Sequence, residues 1–387
     1  MEPPHGFILV VDDNENNRDL LRRQLERQAH RVAMAEDGVE ALEMCRAQPF
    51  DLILLDLAMP KMNGYQVLEH LKADPGLRHI PVIIVSAVDE LESVAHCIEL
   101  GAEDYLIKPF NRVLLQARTN ACLEKKRLRD KEQAYLQAIQ QELEIGRRIQ
   151  ADFLPVQLPQ LPGWEVAAFF QPARQVAGDF YDTFVLPGER LGLVIADVCD
   201  KGVGAALFMA LTRSLLRAFA EQAAATTTGI LNAVALTNNY IIRHHRHSRT
   251  YMFATLFFGV LDVGSGVLTY INAGHYPPII TSPSGSKLFL EPTGPAVGLA
   301  RDLDFGISRT TFEPGDLLLA YTDGLTEAFN PDGDFFSEGR LLTVLMPPIP
   351  SANTVLDRIE SSVRDHVAQG KLADDITLLA VRRLLAE

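Results

Sequence analysis

The sequence predicts two folded parts of different class: an α/β, doubly wound, five-stranded parallel sheet and, beyond a long helix, an α+β β-sandwich flanked by helices. Three observations carry this. Strand-like and helix-like runs alternate through the first ~110 residues. The stretch from Asn111 to Phe153 holds no proline and a single glycine, Gly146. After Leu154 and Pro155, apolar runs come in hairpin order between glycine and proline turns. A chain of 387 residues is also too long for one ordinary core.

In the first part, "FILVVDD", "HRVAMAED", "FDLILLDL", "IPVIIVSA" and "AEDYLIKP" are the strands. Between them, "NRDLLRRQLERQ" and "GVEALEMCRAQ" place apolar residues three and four apart, as amphipathic helices do. Repeated strand–helix units imply a parallel sheet covered on both faces. Ligands of such sheets sit beyond the carboxyl ends of the strands, where Asp12, Asp13, Asp56, Ser86 and Lys108 all fall.

The proline-free stretch reads as one long helix. Leu136, Ile139, Leu143, Gly146, Gln150 and Phe153 recur at the spacing of a short coiled-coil seam, weakened by Gly146 and Gln150. A single amphipathic helix packed on its own domain is the alternative. Beyond it, "WEVAAFFQPA", "LGLVIADV", "MFATLFFGVLD", "GVLTYINAG" and "DLLLAYTDG" are strands, with helical stretches Ala205 to Ala225 and Gly229 to His244 inserted. No internal repeat is visible.

Composition narrows the function. Hydrophobic residues at 47% and charged residues at 22% describe a folded chain. A net charge of −14 disfavours general nucleic-acid binding, and no helix-turn-helix candidate suggests a DNA-binding regulator. The basic runs "LEKKRLRDK" and "RHHRHSR" read as solvated local exceptions. No apolar run approaches the roughly 18 residues a membrane span needs, so no membrane role is expected. The N-terminus lacks an export signal, and Cys45, Cys97, Cys122 and Cys199 have no paired or metal-type spacing, which together fit a reducing cytoplasm.

Asp12, Asp13 and Asp56 at one sheet edge would repel by ~1 to 4 kcal/mol per pair. A hard divalent cation, Mg²⁺ by its all-oxygen ligands, would offset that. A phosphoryl group could then pass to Asp56, with Lys108 neutralising charge and Ser86 offering its hydroxyl. "VVDDNENNRDLL", "LILLDLAMPKMNG", "IIVSA" and "YLIKPF" resemble the receiver domain of two-component response regulators over roughly residues 6 to 125. That resemblance implies Asp12 and Asp13 as metal ligands, Asp56 as phospho-acceptor and metal ligand, and the Ala58 carbonyl as a further ligand. It also implies Ser86 and Tyr105 as switch residues, Lys108 as phosphate contact, and a sensor histidine kinase or phosphotransfer protein as partner.

The distal half carries "RQVAGDFYD", "IADVCDKG", "YTDGLTEA" and "LADDITLLAV". Each sets acids beside a β-type run, and glycine neighbours three of the four. No histidine or cysteine recurs there, so Mg²⁺ or Mn²⁺ fits better than Zn²⁺. Several carboxylates could hold two metals, activate a water and clamp phosphate oxygens. Together with "ELEIGRRIQADFLP", "MFATLFFGVLD" and "NAGHYPP", these motifs resemble the metal-dependent type 2C protein phosphatases, in the sporulation and stress-response branch, over about residues 140 to 387. The resemblance implies Asp179, Asp197, Asp323 and Asp374 as catalytic metal ligands, with the Val198 carbonyl, and Asp375 as outer or accessory ligand. Arg174 would hold the substrate phosphate, and His275 reads as architectural or substrate-contacting rather than a general acid. Cys199-Asp200 stands where serine-glycine is common, Gly204 where proline is, and Gly146 where alanine is.

The expected organisation is a receiver domain over 1–122, a helical or coiled-coil linker over 123–153 and a phosphatase domain over 154–387. Phosphorylation of the first would control hydrolysis by the last, through the linker helix and a homodimer. The implied substrate is a phosphoserine or phosphothreonine on an anti-sigma-factor antagonist. A non-catalytic adaptor using both domains for binding is the alternative, against which the retained acids speak.

Overall fold

The structure, a computed structural model, describes residues 5–86, 91–109, 111–223, 226–244, 252–368, 370 and 372–385. The chain forms two compact units, Met1–Ile139 and Gln140–Glu387. The first runs β1 (Phe7–Val11), α1 (Glu15–Glu26), β2 (Arg31–Ala35), α2 (Gly38–Ala47), β3 (Leu52–Asp56), α3 (Gly64–Ala73), β4 (Val82–Ser86), α4 (Leu91–Glu99) and β5 (Asp104–Ile107). Its sheet order is β2-β1-β3-β4-β5, and every pairing is parallel.

Helices cover both faces, so β3 and β4 are buried along their whole length and carry almost only branched apolar residues. Alternation splits each strand: Leu9, Ile53, Leu55 and Ile84 pack one way with Val67 and Leu71 of α3. Ile8, Val10, Leu54, Ile83 and Val85 pack the other way with Leu21 and Leu25 of α1. Side chains of Asn14, Asp37 and Asn63 cap the starts of α1, α2 and α3, which stops each helix at the carboxyl edge of the sheet.

Helix α5 (Arg112–Ala151) then runs unbroken from the first unit into the second. Leu115, Cys122 and Leu123 belong to the first core. Leu128, Tyr135, Leu136 and Ile139 are exposed, and Gln150 is buried again. Near its end, at Gln150, the helix packs on its own unit.

The second unit continues β6 (Trp164–Gln171), β7 (Phe180–Leu186), β8 (Arg190–Val198), α6 (Val203–Gln222), α7 (Thr227–Leu231), α8 (Ala233–His244), β9 (Ala254–Asp262) and β10 (Val267–Ala273). There follow β11 (Ile279–Thr281), β12 (Lys287–Phe289), β13 (Ser308–Thr311), β14 (Leu317–Tyr321), α9 (Asp323–Thr326), α10 (Ser337–Val344), α11 (Ala352–Val367) and β15 (Ile376–Arg383). Two antiparallel sheets result, β13-β10-β9-β8-β7 and β12-β11-β14-β15-β6. Leu193, Phe257, Leu318 and Leu379 meet between them, each contributing roughly 1.5–3 kcal/mol by burial. The outer faces take Phe208, Met209 and Leu216 of α6 on one side and Val355, Ile359 and Val363 of α11 on the other. The order is helix, sheet, sheet, helix.

One expectation is corrected. Helix α6 is long and apolar enough to cross a bilayer by length and composition. Here its apolar face is core, and its Arg213 and Arg217 reach the buried Asp182 at 2.8 and 3.3 Å. Of the basic run "RHHRHSR", residues 245–249 lie outside the described residues.

Candidate functional site

Two acid clusters form, one in each unit. In the first, Asp12 follows β1, Asp56 ends β3, Ser86 ends β4 and Lys108 follows β5, so parallel packing alone gathers them at one edge. Oxygens of Asp12, Asp13 and Asp56 lie within 4.8 Å of one another. Lys108 Nζ stands 2.8 Å from Asp12 Oδ2 and 3.0 Å from Asp56 Oδ2. Asn17 Nδ2 donates to both Asp12 oxygens at 3.1 Å, and Arg18 donates to the Asp12 and Asp13 carbonyls.

Burial pushes the Asp56 carboxyl up to about 6, against the opposing pull of Lys108. The Ser86 hydroxyl is buried without a partner among the described residues. An oxygen-only trio with an unspent hydroxyl beside it suits a hard divalent cation and an incoming phosphoryl group. Ala58 is exposed two residues past Asp56. Tyr105 is half-buried under the Arg118 guanidinium, which pairs with Asp104. Gly64 is required: a Cβ there would come within 2.2 Å of the Asp56 carbonyl oxygen.

In the second unit, Asp179 precedes β7, Asp197 lies in β8, Asp323 opens α9 after β14, and Asp374 and Asp375 precede β15. Asp179 is buried, accepts from Thr377 Oγ1 at 2.7 Å and is hydrogen-bonded to Thr322 and Asp197. Two carboxyls in that contact share a proton when no cation separates them, and burial with Asp197 alongside pushes Asp179 well above the usual range. Burial, then Asp197, Asp374 and Glu327, push Asp323 up to about 7. Such mutual repulsion among oxygen ligands fits a site for hard divalent cations. The fit is looser than in the first unit: among the described residues, only Asp12, Asp13 and Asp56 close to a mutual 4.8 Å.

The adjacent acids diverge. Asp374 Oδ2 meets Lys201 Nζ at 2.6 Å. Asp375 turns the other way: its Oδ1 accepts from the Ala173 N–H at 2.8 Å and its Oδ2 from the Gly178 N–H at 2.9 Å. Asp375 thus binds the two ends of the loop that carries the exposed Arg174 and leads into Asp179. Gly178 presses on Val198, whose carbonyl oxygen a Cβ would meet at 2.9 Å. Gly324 explains the "TDG" spelling, since a Cβ there would lie 2.0 Å from the Asp375 carbonyl oxygen.

His275 is enclosed, with Nδ1 2.9 Å from Thr255 Oγ1 and its backbone N–H donating to Asn272 Oδ1. Burial pulls its pKa down to about 4, which suits a neutral architectural side chain. Sequence reasoning passed over Thr322, Thr377 and Lys201, and took Gln150 only as a flaw in a seam. A threonine just before Asp323, one just after Asp375, and a polar residue on an apolar stripe were the available signals.

Comparisons with known proteins place each unit in a family. Residues 187–384 match Stage II sporulation protein E (SpoIIE), and residues 8–120 match the response regulator receiver domain. Protein IcfG of Synechocystis sp. is 45% identical over 264 residues, 62% of this chain and 41% of that protein. The chain therefore spans about two fifths of that relative. Phosphoserine phosphatase RsbU of Bacillus subtilis is 30% identical over 250 residues, 64% of this chain and 71% of that protein. The SiaA-PP2C domain of Pseudomonas aeruginosa, 21% identical with a TM-score of 0.53 over 64% of this chain and 98% of that one, shares the fold. Half of the chain matching one family and the flanking segment another, this protein belongs to the Stage II sporulation protein E family and carries a response regulator receiver domain ahead of that region.

Proposed function

We propose that this chain is a Mg²⁺- or Mn²⁺-dependent phosphoserine/phosphothreonine protein phosphatase whose rate is set by phosphorylation of Asp56. The observation that carries it is the convergence of Asp179, Asp197 and Asp323, three acids from separate segments of the chain whose charges oppose one another. Bound divalent cations would supply the positive charge against which phosphate oxygens and an attacking water are held. Asp179, Asp197, Asp323 and Asp374, with the Val198 carbonyl, would hold them. Thr322 and Thr377 fix the Asp179 carboxylate. Asp375 holds the loop that presents Arg174 to the substrate phosphate.

In the receiver domain, 1–122, Asp12, Asp13, Asp56 and the Ala58 carbonyl would hold Mg²⁺. Lys108 would contact the phosphoryl group, and Ser86 and Tyr105 would respond to it. The donor is a sensor histidine kinase or phosphotransfer protein. The segment 123–153 transmits the change to the phosphatase domain, 154–387, as a dimeric helix pair in the cytoplasm. The likeness to RsbU supports a phosphorylated anti-sigma-factor antagonist as substrate in a partner-switching pathway.

The test is phosphate release from such a phosphoserine protein by the full chain with Mn²⁺, with and without beryllofluoride on Asp56. Metal-dependent release that changes at least about tenfold, ~1.4 kcal/mol of coupling, is expected. Binding without release would point to an adaptor, and equal rates would remove the control by Asp56.

A further inference from the structure

The loop joining β8 to α6, Cys199 to Gly202, passes over the distal acids with an unusual backbone. Asp200 has φ of +74°, a left-handed conformation that costs a non-glycine residue roughly 1–2 kcal/mol. Its side chain makes this tolerable by accepting the Lys201 N–H at Oδ1, 2.8 Å. Gly202, at φ +89°, completes the turn. The result sends Lys201 back across the loop before Asp374: Nζ lies 2.6 Å from Asp374 Oδ2 and donates to the Ala373 carbonyl at 2.7 Å. The bond from Lys201 to Ala373 bridges 172 residues of sequence, and the Lys201 and Asp374 side chains each keep about a third of their surface.

This ammonium is a cation already inside the acid cluster. It sits against Asp374, at the solvent side, and not against the buried Asp179. Asp374 also acts at a distance on Asp197 and Asp323, raising both, while Lys201 lowers Asp197. A carboxylate oxygen engaged at 2.6 Å by an ammonium is not free to accept a divalent ion in the same direction.

We propose that Lys201 is a built-in competitor for the divalent cation at Asp374: its ammonium holds this carboxylate in the metal-free protein and must leave for the outer half of the metal site to fill. Asp200 is its positioning residue. The proposal rests on the phosphatase reading above for the presence of metal, but its measurement does not depend on turnover.

The experiment is Mn²⁺ binding to the full chain, followed by calorimetry and by the paramagnetic resonance signal of free Mn²⁺. The Asp13→Asn background removes the receiver ion from the count. Lys201→Gln is expected to tighten the weaker binding event at least tenfold and leave the tighter one unchanged. Lys201→Arg, which keeps the charge, stays within threefold of the parent. Asp200→Gly, which relieves the backbone and removes the bond to the Lys201 N–H, gives an intermediate tightening. Unchanged or weaker Mn²⁺ binding by Lys201→Gln, in protein that still hydrolyses a phosphoserine substrate, overturns the competitor role alone. Absence of any Mn²⁺ at the distal acids in parent and variants overturns this role together with the phosphatase reading.

Discussion

Gln150 and Ala177 hold each other by both ends of one amide: Gln150 Nε2 donates to the Ala177 carbonyl at 2.6 Å, and the Ala177 N–H donates to Gln150 Oε1 at 3.0 Å. Gln150 belongs to α5, and Ala177 is the residue before Gly178, whose N–H binds Asp375. Asp179 follows directly. Helix α5 therefore grips the backbone two residues from a candidate metal ligand, with no other side chain between. Replacing Gln150 with alanine leaves two buried backbone groups unpaired, at about 1–3 kcal/mol each. The expected outcome for Gln150→Ala is an unfolding midpoint several degrees lower and a beryllofluoride response below twofold, read by calorimetry and phosphate release. A variant that retains the full response shows that control reaches the acids by another path.

Lys108 holds its ammonium between Asp12 and Asp56. Lys108→Ala removes the largest influence that holds the Asp56 carboxyl down, so its pKa should rise above about 6. Phosphoryl uptake from acetyl phosphate with Mg²⁺ should fall at least about tenfold, and Asp56→Asn should abolish it, as measured by phosphate-affinity electrophoresis.

The adjacent acids Asp374 and Asp375 separate two kinds of loss. Asp375→Ala frees the Ala173 and Gly178 amides, so thermal stability and affinity for substrate should both drop while Mn²⁺ stoichiometry is kept. Asp323→Ala should lower hydrolysis by about a hundredfold or more and lose an ion, with little thermal penalty. Equal behaviour of the two variants would erase the distinction drawn between them.

Protonation gives a signed prediction for the metal-free chain. The Asp323 carboxyl is raised to about 7 in the fold, so its contribution to stability is complete below the unfolded value near 3.8 and is lost as pH rises through 7. His275 is lowered to about 4, so it opposes this only as pH falls below 6.5. Between pH 8 and 6.5, the unfolding midpoint without metal should therefore climb on acidification. Asp323→Asn should flatten that climb, and saturating Mn²⁺ should reverse it, because protons then compete with the ion. A parent midpoint independent of pH over that window would contradict the repulsion read among these acids.

The receiver acids were legible because a parallel sheet sends every strand's carboxyl end to one edge, so an apolar run followed by Asp56 or Ser86 already states its place. The "TDG" motif read only as a sharp turn; what demands Gly324 is the distant Asp375 carbonyl oxygen, 2.0 Å from where its Cβ would lie. Which of Asp374 and Asp375 meets an ammonium and which holds a loop was not, since neighbours in an extended turn point opposite ways and the N–H that Asp375 accepts lies 202 residues away. Gln150 looked like a defect in a stripe until its partner, 27 residues on, was in place.

The sequence by itself determined the two fold classes, the element order of the first unit and the positions of the acids, because short-range sterics and the period of apolar residues suffice for those. Only the tertiary structure decided which acid shares a proton, which accepts an ammonium and which ties down backbone. Those roles depend on distances of a few Å between groups far apart in the chain, and Coulomb and hydrogen-bond energies change over that range by more than propensity can encode.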